Sequence, residues 1–422
     1  MPSWIKLLRT RFLRPYTRRT PIRRNSRLGF ECLEDRAVPA VTIGGLDTVT
    51  GQVTFTGDNT GNTLILARVE TYPGSGISVL QHNVTGGGLA SSIDLDPSKA
   101  GDQTLTLGAG TDKNIVVNLG NGANALILDT SWNFNHKVTL TGGSGTDELI
   151  GNQLGGVWQI TDMNTRAGTL GGSQGVVFSS VETLTAGSGT DTLQGENAAR
   201  TWNLDVSQAY TDGSTSIAFS GFETLQGGSD VDTFAIQVDT SMVLKGGEGS
   251  DAFVFSLNGD VPALLNGSID GQAGSDTLDY TGYGNTDNVI VSLSGLGTTD
   301  GFQGDEKSIT GNLDNINAIL AGIGKVGEEE LYSYANSITG LDAIATWTVG
   351  ASQSYATGGQ TLALSNMNNL VGGSGVDTYN VSVNHTGNLD GQGGGDVFNL
   401  TGGIVTGDLI GDAGDDHFNF DG

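Results

Sequence analysis

The stretch GGSDVDTFAIQVDTSMVLKGGEGSDAF, residues 227–253, contains two copies of one short pattern. Each copy has a glycine pair, a short spacer, an aspartate and, two residues later, a phenylalanine. The two aspartates, Asp232 and Asp251, are 19 residues apart, and several Val, Ile and Leu residues lie between them. Short β-prone segments that alternate with glycine turns at a regular interval are typical of a chain that coils into stacked turns.

The same pattern recurs along most of the chain. Further copies are GGSGTDEL (142–149), AGSGTDTL (186–193), GQAGSDTL (271–278), GGSGVDTY (372–379), GQGGGDVF (391–398) and GDAGDDHF (411–418), with a weaker GAGTD at 108–112. The aspartates are separated mostly by about 20 residues or by about twice that, which predicts a β-solenoid in which some turns lack the motif. The apolar residue two positions after each aspartate is expected to point inward and to stack on its counterparts.

A longer repeat of 145 residues overlies the short one. TWNLDVSQAY (201–210) matches TWTVGASQSY (346–355), so Trp202 corresponds to Trp347, and Trp158 belongs to an earlier, shorter copy. We predict that these tryptophans stack in the core, with carbohydrate stacking as the alternative. Because only about half of the second long copy is present, we expect the chain to continue in a longer protein or to be covered by a stacking partner at its C-terminal end.

The sequence therefore predicts an all-β protein built as a parallel β-solenoid. Glycine makes up 68 of 422 residues and charged residues only 15%, which fits a narrow solenoid better than a helical or doubly wound protein.

One segment shows a helical spacing of apolar residues, which predicts a short lateral helix near 312–322. These residues are Leu313, Ile316, Ile319, Leu320 and Ile323. We expect a basic export or sorting segment (1–40), a β-rich start (41–140), a repeat solenoid (141–280), an irregular segment with an insertion (281–346) and a second, incomplete long repeat (347–422).

The charge of the chain is divided unevenly. Residues 1–40 hold ten of the 19 Lys and Arg residues and three of the 46 Asp and Glu residues, which leaves 9 basic and 43 acidic residues for the rest. Such an acidic body repels nucleic acid, which we exclude as a partner, and attracts cations.

The single cysteine, Cys32, excludes an intramolecular disulfide. No apolar run is long enough for a membrane-spanning helix, so we predict no transmembrane segment.

The segment RLGFECLEDRAVPA (27–40) follows an Arg-rich start. It resembles the LExR-type N-terminal sorting segment on large surface proteins of planctomycete-like bacteria, and Leu33, Glu34 and Arg36 are the matching positions. The resemblance implies export and an extracellular or cell-surface location. The alternative is a basic tail that binds acidic surfaces.

The repeated motif resembles the RTX, or haemolysin-type, calcium-binding nonapeptide GGxGxDxUx. The resemblance implies a right-handed parallel β-roll in which turn carbonyls and the motif aspartates bind Ca²⁺ between adjacent turns. Calcium takes six to eight oxygen ligands, and open glycine turns present backbone carbonyls. Family repeats follow each other every nine residues, whereas here one motif occurs per turn, so a site needs two consecutive motif-bearing turns. We therefore expect Asp112, Asp147 and Asp191 to cap turns through hydrogen bonds to the backbone.

Two runs of motifs meet the condition for calcium. The residues that the resemblance assigns to the metal are Gly228, Asp232, Gly247, Gly249, Asp251, Gly271, Gly274 and Asp276 in the first run, and Gly373, Gly375, Asp377, Gly391, Gly394, Asp396, Gly411, Gly414 and Asp416 in the second. Between the motifs, Glu182 and Glu223 are expected to face solvent.

These observations favour a non-enzymatic, secreted or surface-attached solenoid with a structural or adhesive role and Ca²⁺ as its bound ion. Surface polysaccharide or cell-envelope components are the candidate ligands. One alternative is a parallel β-helix polysaccharide lyase or hydrolase, although the few basic residues after residue 40 form no recognisable constellation. A third hypothesis is a spacer region of a longer surface protein.

Overall fold

The computed structural model describes residues 42–47, 52–57, 61–71, 77–85, 104–109, 114–129, 132, 137–171, 175–284, 287–322 and 336–421. The N-terminal segment 1–40 and Asp112 lie outside these residues. Within them the chain forms β-strands and one 3₁₀ turn, Thr281–Tyr283. This agrees with the predicted all-β class.

The strands follow one another closely along the chain. In order they are β1 (Thr42–Asp47), β2 (Gln52–Thr56), β3 (Thr63–Thr71), β4 (Ile77–Thr85), β5 (Thr104–Ala109), β6 (Asn114–Asn121), β7 (Asn124–Leu128), β8 (Lys137–Ser144), β9 (Asp147–Ile150), β10 (Gly156–Asp162), β11 (Ala167–Leu170), β12 (Val176–Ser179), β13 (Thr183–Thr185), β14 (Asp191–Gln194), β15 (Arg200–Leu204), β16 (Ala209–Thr211), β17 (Ser216–Ser220), β18 (Thr224–Gln226), β19 (Asp232–Ile236), β20 (Val243–Gly249), β21 (Ala252–Phe255), β22 (Leu257–Asn258), β23 (Val261–Pro262), β24 (Ile269–Gly274), β25 (Thr277–Tyr280), β26 (Ile290–Leu296), β27 (Phe302–Glu306), β28 (Leu313–Ile316), β29 (Ala318–Ala321), β30 (Ser337–Thr339), β31 (Ala345–Val349), β32 (Gln353–Thr357), β33 (Gln360–Ser365), β34 (Asn369–Val371), β35 (Asp377–Val381), β36 (His385–Thr386), β37 (Leu389–Asp390), β38 (Val397–Leu400), β39 (Val405–Thr406), β40 (Leu409–Ile410) and β41 (His417–Phe420).

Almost all of these strands belong to two long sheets. Sheet A has the spatial order β1-β2-β6-β8-β12-β11-β10-β14-β18-β20-β24-β28-β27-β26-β30-β34-β37-β40. Sheet B has the order β5-β4-β3-β7-β9-β13-β17-β16-β15-β19-β21-β25-β29-β33-β32-β31-β35-β38-β41. The two sheets are the walls of the solenoid.

In its regular parts the chain alternates between the two sheets. From β18 it passes to β19, β20, β21, β24 and β25, and each strand pairs in parallel with the next one in its own sheet. In the two runs the glycine turn of the motif joins a strand of sheet A to a strand of sheet B. The motif aspartate stands at or directly before the beginning of the sheet B strand, as Asp232 does in β19. The motif of Asp191 joins the sheets in the opposite sense, since Asp191 begins β14 of sheet A. The prediction of a solenoid is thereby confirmed.

Within the described residues, four antiparallel meanders interrupt this parallel winding, and a further one, β3–β5, lies at the edge of sheet B. The four are β10–β12 and β26–β28 in sheet A, and β15–β17 and β31–β33 in sheet B. In each of the four the last strand pairs with the preceding turn and the first strand pairs with the following one; β12 pairs with β8, for example, and β10 with β14. The wide spacings between aspartates therefore do not mark two plain turns, as expected, but a turn with an inserted meander.

The predicted lateral helix near 312–322 is wrong. That segment forms β28 and β29, which pair in parallel with β24 and β25. Leu313 and Ile319 are buried in these strands, and the backbone reverses locally at Asn315, whose φ is 56°. Pairing with the preceding turn outweighs the local helical spacing, because short apolar runs do not distinguish a helix from a buried strand.

The core consists of inward side chains stacked along the solenoid axis. Phe234 lies between Trp202 and Phe253, with ring centroids 5.7 and 5.0 Å away. The second long repeat reproduces this column, since Trp347 stacks on Tyr379 at 5.7 Å. Trp158, Trp202 and Trp347 are all fully buried, so the prediction that they are core residues is confirmed.

The Phe253 column gives a direct test of the stacking. Phe253→Ala is expected to destabilise the protein by about 3–5 kcal/mol, because it removes an aromatic side chain that is fully buried between Phe234 and Leu278 of the adjacent turns. The control Val254→Ala changes the next residue of the same strand, which faces outward, and should cost less than about 1 kcal/mol. The measurement is guanidinium denaturation followed by tryptophan fluorescence. Equal effects of the two substitutions would contradict the assignment of faces.

Candidate functional site

The motif aspartates of the two runs lie inside the solenoid, at the corner where the glycine turn meets sheet B. Asp232, Asp251 and Asp276 stand in three consecutive turns and are at most 1% exposed. Asp377 and Asp396 are equally buried in the second run, and Asp416 follows them, half-buried, in the last described turn. The structure therefore brings the aspartates of each predicted run together in adjacent turns.

In each run, every aspartate after the first accepts a backbone hydrogen bond from the turn before it. The backbone N–H of Asp232 donates to Oδ1 of Asp251 at 2.7 Å, and that of Asp251 donates to Oδ1 of Asp276 at 2.8 Å. In the second run the corresponding distances are 2.8 Å from Asp377 to Asp396 and 2.9 Å from Asp396 to Asp416. We call each such series of inter-turn bonds an aspartate ladder. The ladder satisfies backbone donors that the sheet pairing leaves free at the corner.

Turns that lack the motif place another oxygen at the same ladder position. The N–H of Asp276 donates to Oδ1 of Asn317 at 3.0 Å, which continues the first ladder. Asp147 donates in the same way to Oε2 of Glu182 at 2.8 Å, and Asp191 to Oε2 of Glu223 at 2.8 Å. Glu182 is thus a half-buried acceptor rather than a solvent-facing residue, whereas Glu223 accepts in the same way but is exposed, as predicted. The sequence signal that marks them is their place directly before a strand, in VETL and FETL.

Two motif aspartates accept a hydrogen bond from a tryptophan indole. The indole Nε1–H of Trp347 donates to Oδ1 of Asp377 at 3.0 Å, and that of Trp158 donates to Oδ1 of Asp191 at 3.1 Å. Each tryptophan lies in the strand next to that of its aspartate. Trp158 and Trp347 therefore contribute one polar contact as well as core packing, whereas Nε1 of Trp202 has no hydrogen-bond partner.

The glycine five residues before the aspartate is required by the position of the carboxyl group. A Cβ atom at Gly246 would lie 2.4 Å from Oδ2 of Asp251, and one at Gly391 would lie 2.1 Å from Oδ2 of Asp396. The later glycine of the motif meets the neighbouring turn instead: Gly274 has φ 143°, and a Cβ there would lie 1.3 Å from the carbonyl oxygen of Gly249. Gly246, Gly391 and Gly274 are therefore sterically required in their turns, although the motif has Ala186 and Asp230 at the equivalent positions of two other copies.

Burial makes the charged form of these carboxyl groups unfavourable. It raises the pKa of Asp251 to about 6 and, together with the neighbouring Asp251 carboxyl, raises that of Asp276 to about 7. Oδ2 has no hydrogen-bond partner in Asp251, Asp276 or Asp396. The same holds for Asp147 and Asp191, where burial again raises the pKa. The consecutive and the isolated motifs therefore do not differ in this respect.

The unpartnered oxygens are the atoms that fit a cation. In Asp251, Asp276 and Asp396, however, Oδ1 already accepts in the ladder, so one carboxyl oxygen is free in each of these turns. In Asp377 both oxygens already accept hydrogen bonds. Calcium takes six to eight oxygens, and the glycine turns would have to supply most of them as backbone carbonyls. In the part of the chain that the structure describes, no three His, Cys, Asp or Glu side chains converge as a metal-binding group.

Comparison with known proteins identifies no relative. No protein-family model matches the chain, and no curated protein matches it. Among the described residues, no helix has the length and apolar character needed to cross a membrane.

The steric role of the motif glycine can be tested by substitution. Gly246→Ala should destabilise the first run by roughly 1–3 kcal/mol, because the new methyl group would overlap Oδ2 of Asp251 and the carbonyl oxygen of Gly271. Gly402→Ala is the control, since its Cβ would make only an ordinary contact at 3.6 Å. Both variants are compared by thermal unfolding under circular dichroism. A Gly246→Ala protein as stable as the control would show that the carboxyl group does not occupy this space.

Proposed function

We propose that the protein is a non-enzymatic, secreted or cell-surface β-solenoid with a structural or adhesive role. The observation that carries this proposal is the use of the repeated carboxyl groups. Each motif aspartate that the structure describes is turned inward, and in the two runs every aspartate after the first accepts a backbone hydrogen bond from the adjacent turn. The residues that recur most regularly in this sequence therefore hold the turns together.

The outward side of sheet B supports the same proposal. Thr201, Thr233, Ala252, Thr277 and Ala318 are in register on five neighbouring strands and form a row of small, uncharged side chains. Such a row lies on a body that is otherwise strongly acidic. It suits contact with extended, uncharged material such as a surface polysaccharide or another cell-envelope component.

Calcium is the second part of the proposal. Asp251, Asp276 and Asp396, with the carbonyls of their glycine turns, would hold the ion. Its charge would offset the cost of burying carboxylates that have no counter-ion next to them. The motif resemblance and the unpartnered Oδ2 atoms support this assignment.

The enzymatic alternative has weaker support. A lyase acting on acidic polysaccharide needs a free basic group in its groove. Arg166 instead pairs with Glu182 at 3.5 Å, Arg200 with Glu196 at 2.5 Å, and Lys307 with Asp287 at 2.5 Å. Turnover of an acidic polysaccharide by the purified protein would favour this alternative over a structural role.

Removal of calcium tests whether a bound ion stabilises the two runs of motif turns. With EDTA, the regions 227–280 and 372–420 should become more susceptible to limited proteolysis than 141–195, because only the two runs have motifs in consecutive turns. Mass spectrometry of the fragments locates the cleavage sites, and addition of excess calcium should restore protection. Identical cleavage with and without EDTA would rule out a stabilising calcium ion while leaving the structural role intact.

The location of the protein is tested on intact cells of the source organism. A surface protein should be digested by an external protease while a cytosolic enzyme in the same cells stays whole. A variant that lacks residues 1–40 should remain protected, because it has lost the Arg-rich segment with Leu33, Glu34 and Arg36. Protection of the full-length protein until the cells are lysed would contradict a surface location.

A further inference from the structure

A buried carboxyl group outside the ladders lies where the meander β26–β28 joins the solenoid. We call the two meanders of sheet A, β10–β12 and β26–β28, the first and the second insertion. Glu306 is the last residue of β27, the middle strand of the meander β26–β28, and it is 3% exposed. Its Oε2 accepts hydrogen bonds from the Tyr280 hydroxyl at 3.0 Å and from the Ser308 N–H at 2.6 Å. Its Oε1 is buried without a hydrogen-bond partner.

The same group of residues connects three parts of the fold. The Tyr283 hydroxyl lies 3.1 Å from both the Ala263 carbonyl oxygen and Ser308 Oγ. The N–H of Leu265 donates to the Ser308 carbonyl at 2.9 Å. Tyr280 ends β25, so the cluster ties the first run of motif turns and the loop around Leu265 to the meander. We call these residues, Tyr280, Tyr283, Glu306 and Ser308, the junction cluster.

The cluster suits a neutral carboxyl group better than a charged one. The titratable groups that face Glu306 are Tyr280 and Tyr283, and burial raises the pKa of both phenols. The adjacent Lys307 pairs with Asp287 at 2.5 Å instead. A carboxylate here would therefore have one oxygen without a donor and no described counter-ion, whereas a carboxylic acid has no charge to neutralise.

The first insertion provides an internal comparison. Its middle strand, β11, turns Gly168 and Leu170 toward the core, and the strand beside it contributes Ile160. Inward residues of the first middle strand are thus apolar, whereas the second middle strand ends in an acid. A response to pH at Glu306 should therefore be confined to the second insertion.

We propose that Glu306 is a pH-sensitive lock, which holds the meander β26–β28 against β25 while it is protonated and releases it when the proton is lost to solvent. Burial is the main cause that raises the pKa of Glu306 above its ordinary value. For an acid with a raised folded-state pKa, the stabilisation is complete below the ordinary value and disappears as the pH rises through the raised one. The lock is therefore closed in acid and opens toward alkaline pH.

Hydrogen exchange of the whole protein tests the lock. Exchange rates, corrected for the intrinsic effect of pH, are measured by mass spectrometry at pH 5 and pH 8 for peptides from 287–316 and from 156–170. Opening in 287–316 should be clearly greater at pH 8 than at pH 5, because the ionised form of Glu306 is the less stable one at the junction. Peptides from 156–170 should change much less.

Two variants identify the responsible group. Glu306→Gln keeps an oxygen acceptor for Tyr280 and Ser308 but cannot ionise, so exchange in 287–316 should become independent of pH. Asp305→Asn is the control: it removes the same charge from the exposed preceding residue and should respond to pH as the wild type does.

Three results would overturn the lock. The first is equal pH responses of the two insertions in the wild-type protein, a comparison that requires no variant to fold. The second is a Glu306→Gln protein that opens with pH as the wild type does, and the third is loss of the response in Asp305→Asn. None of these results bears on the structural role proposed above, because they concern one junction rather than the ladders.

Discussion

The hydrogen bond from a corner N–H to an oxygen in the next turn is the constraint on which the solenoid depends. Parallel pairing joins strands within each sheet, but the backbone at the corner needs a separate acceptor, and side-chain oxygens supply it. The acceptor must reach inward beneath a glycine turn, so the turn has no room for a side chain there. Apolar stacking can then continue immediately beyond each acceptor, as Phe234 and Phe253 do.

Much of this arrangement could be predicted from the sequence because it recurs. A regular spacing of glycine, aspartate and an aromatic residue indicated both the stacked turns and the inward position of Phe253. The tryptophan positions could be predicted from the 145-residue repeat. The roles of Glu182 and Asn317 could not, because different side chains occupy one structural position and no spacing relates them. Calcium binding by the free carboxyl oxygens depends on charge and hydration, and the spacing of the motifs carries no information about either.

The strand order within the meanders also could not be predicted from the regular spacing of the motifs. A repeat analysis assumes that neighbours in sequence are neighbours in space, whereas β10 lies beside β14 and β12 beside β8. The segment 312–322 shows the same limitation locally. Its apolar spacing is compatible with a helix, and the outcome is decided by the edges of β24 and β25, which are distant in sequence.

The reversed strand order within the meanders affects how such a chain can assemble. A plain solenoid can lengthen one turn at a time as the chain emerges. Here β12 can join β8, but β10 then presents an open edge until β14 has arrived, and β15–β17 repeat the same delay in the other sheet. Growth therefore advances in blocks of several strands. Each block must be available in full before the next plain turn has a finished surface to stack on.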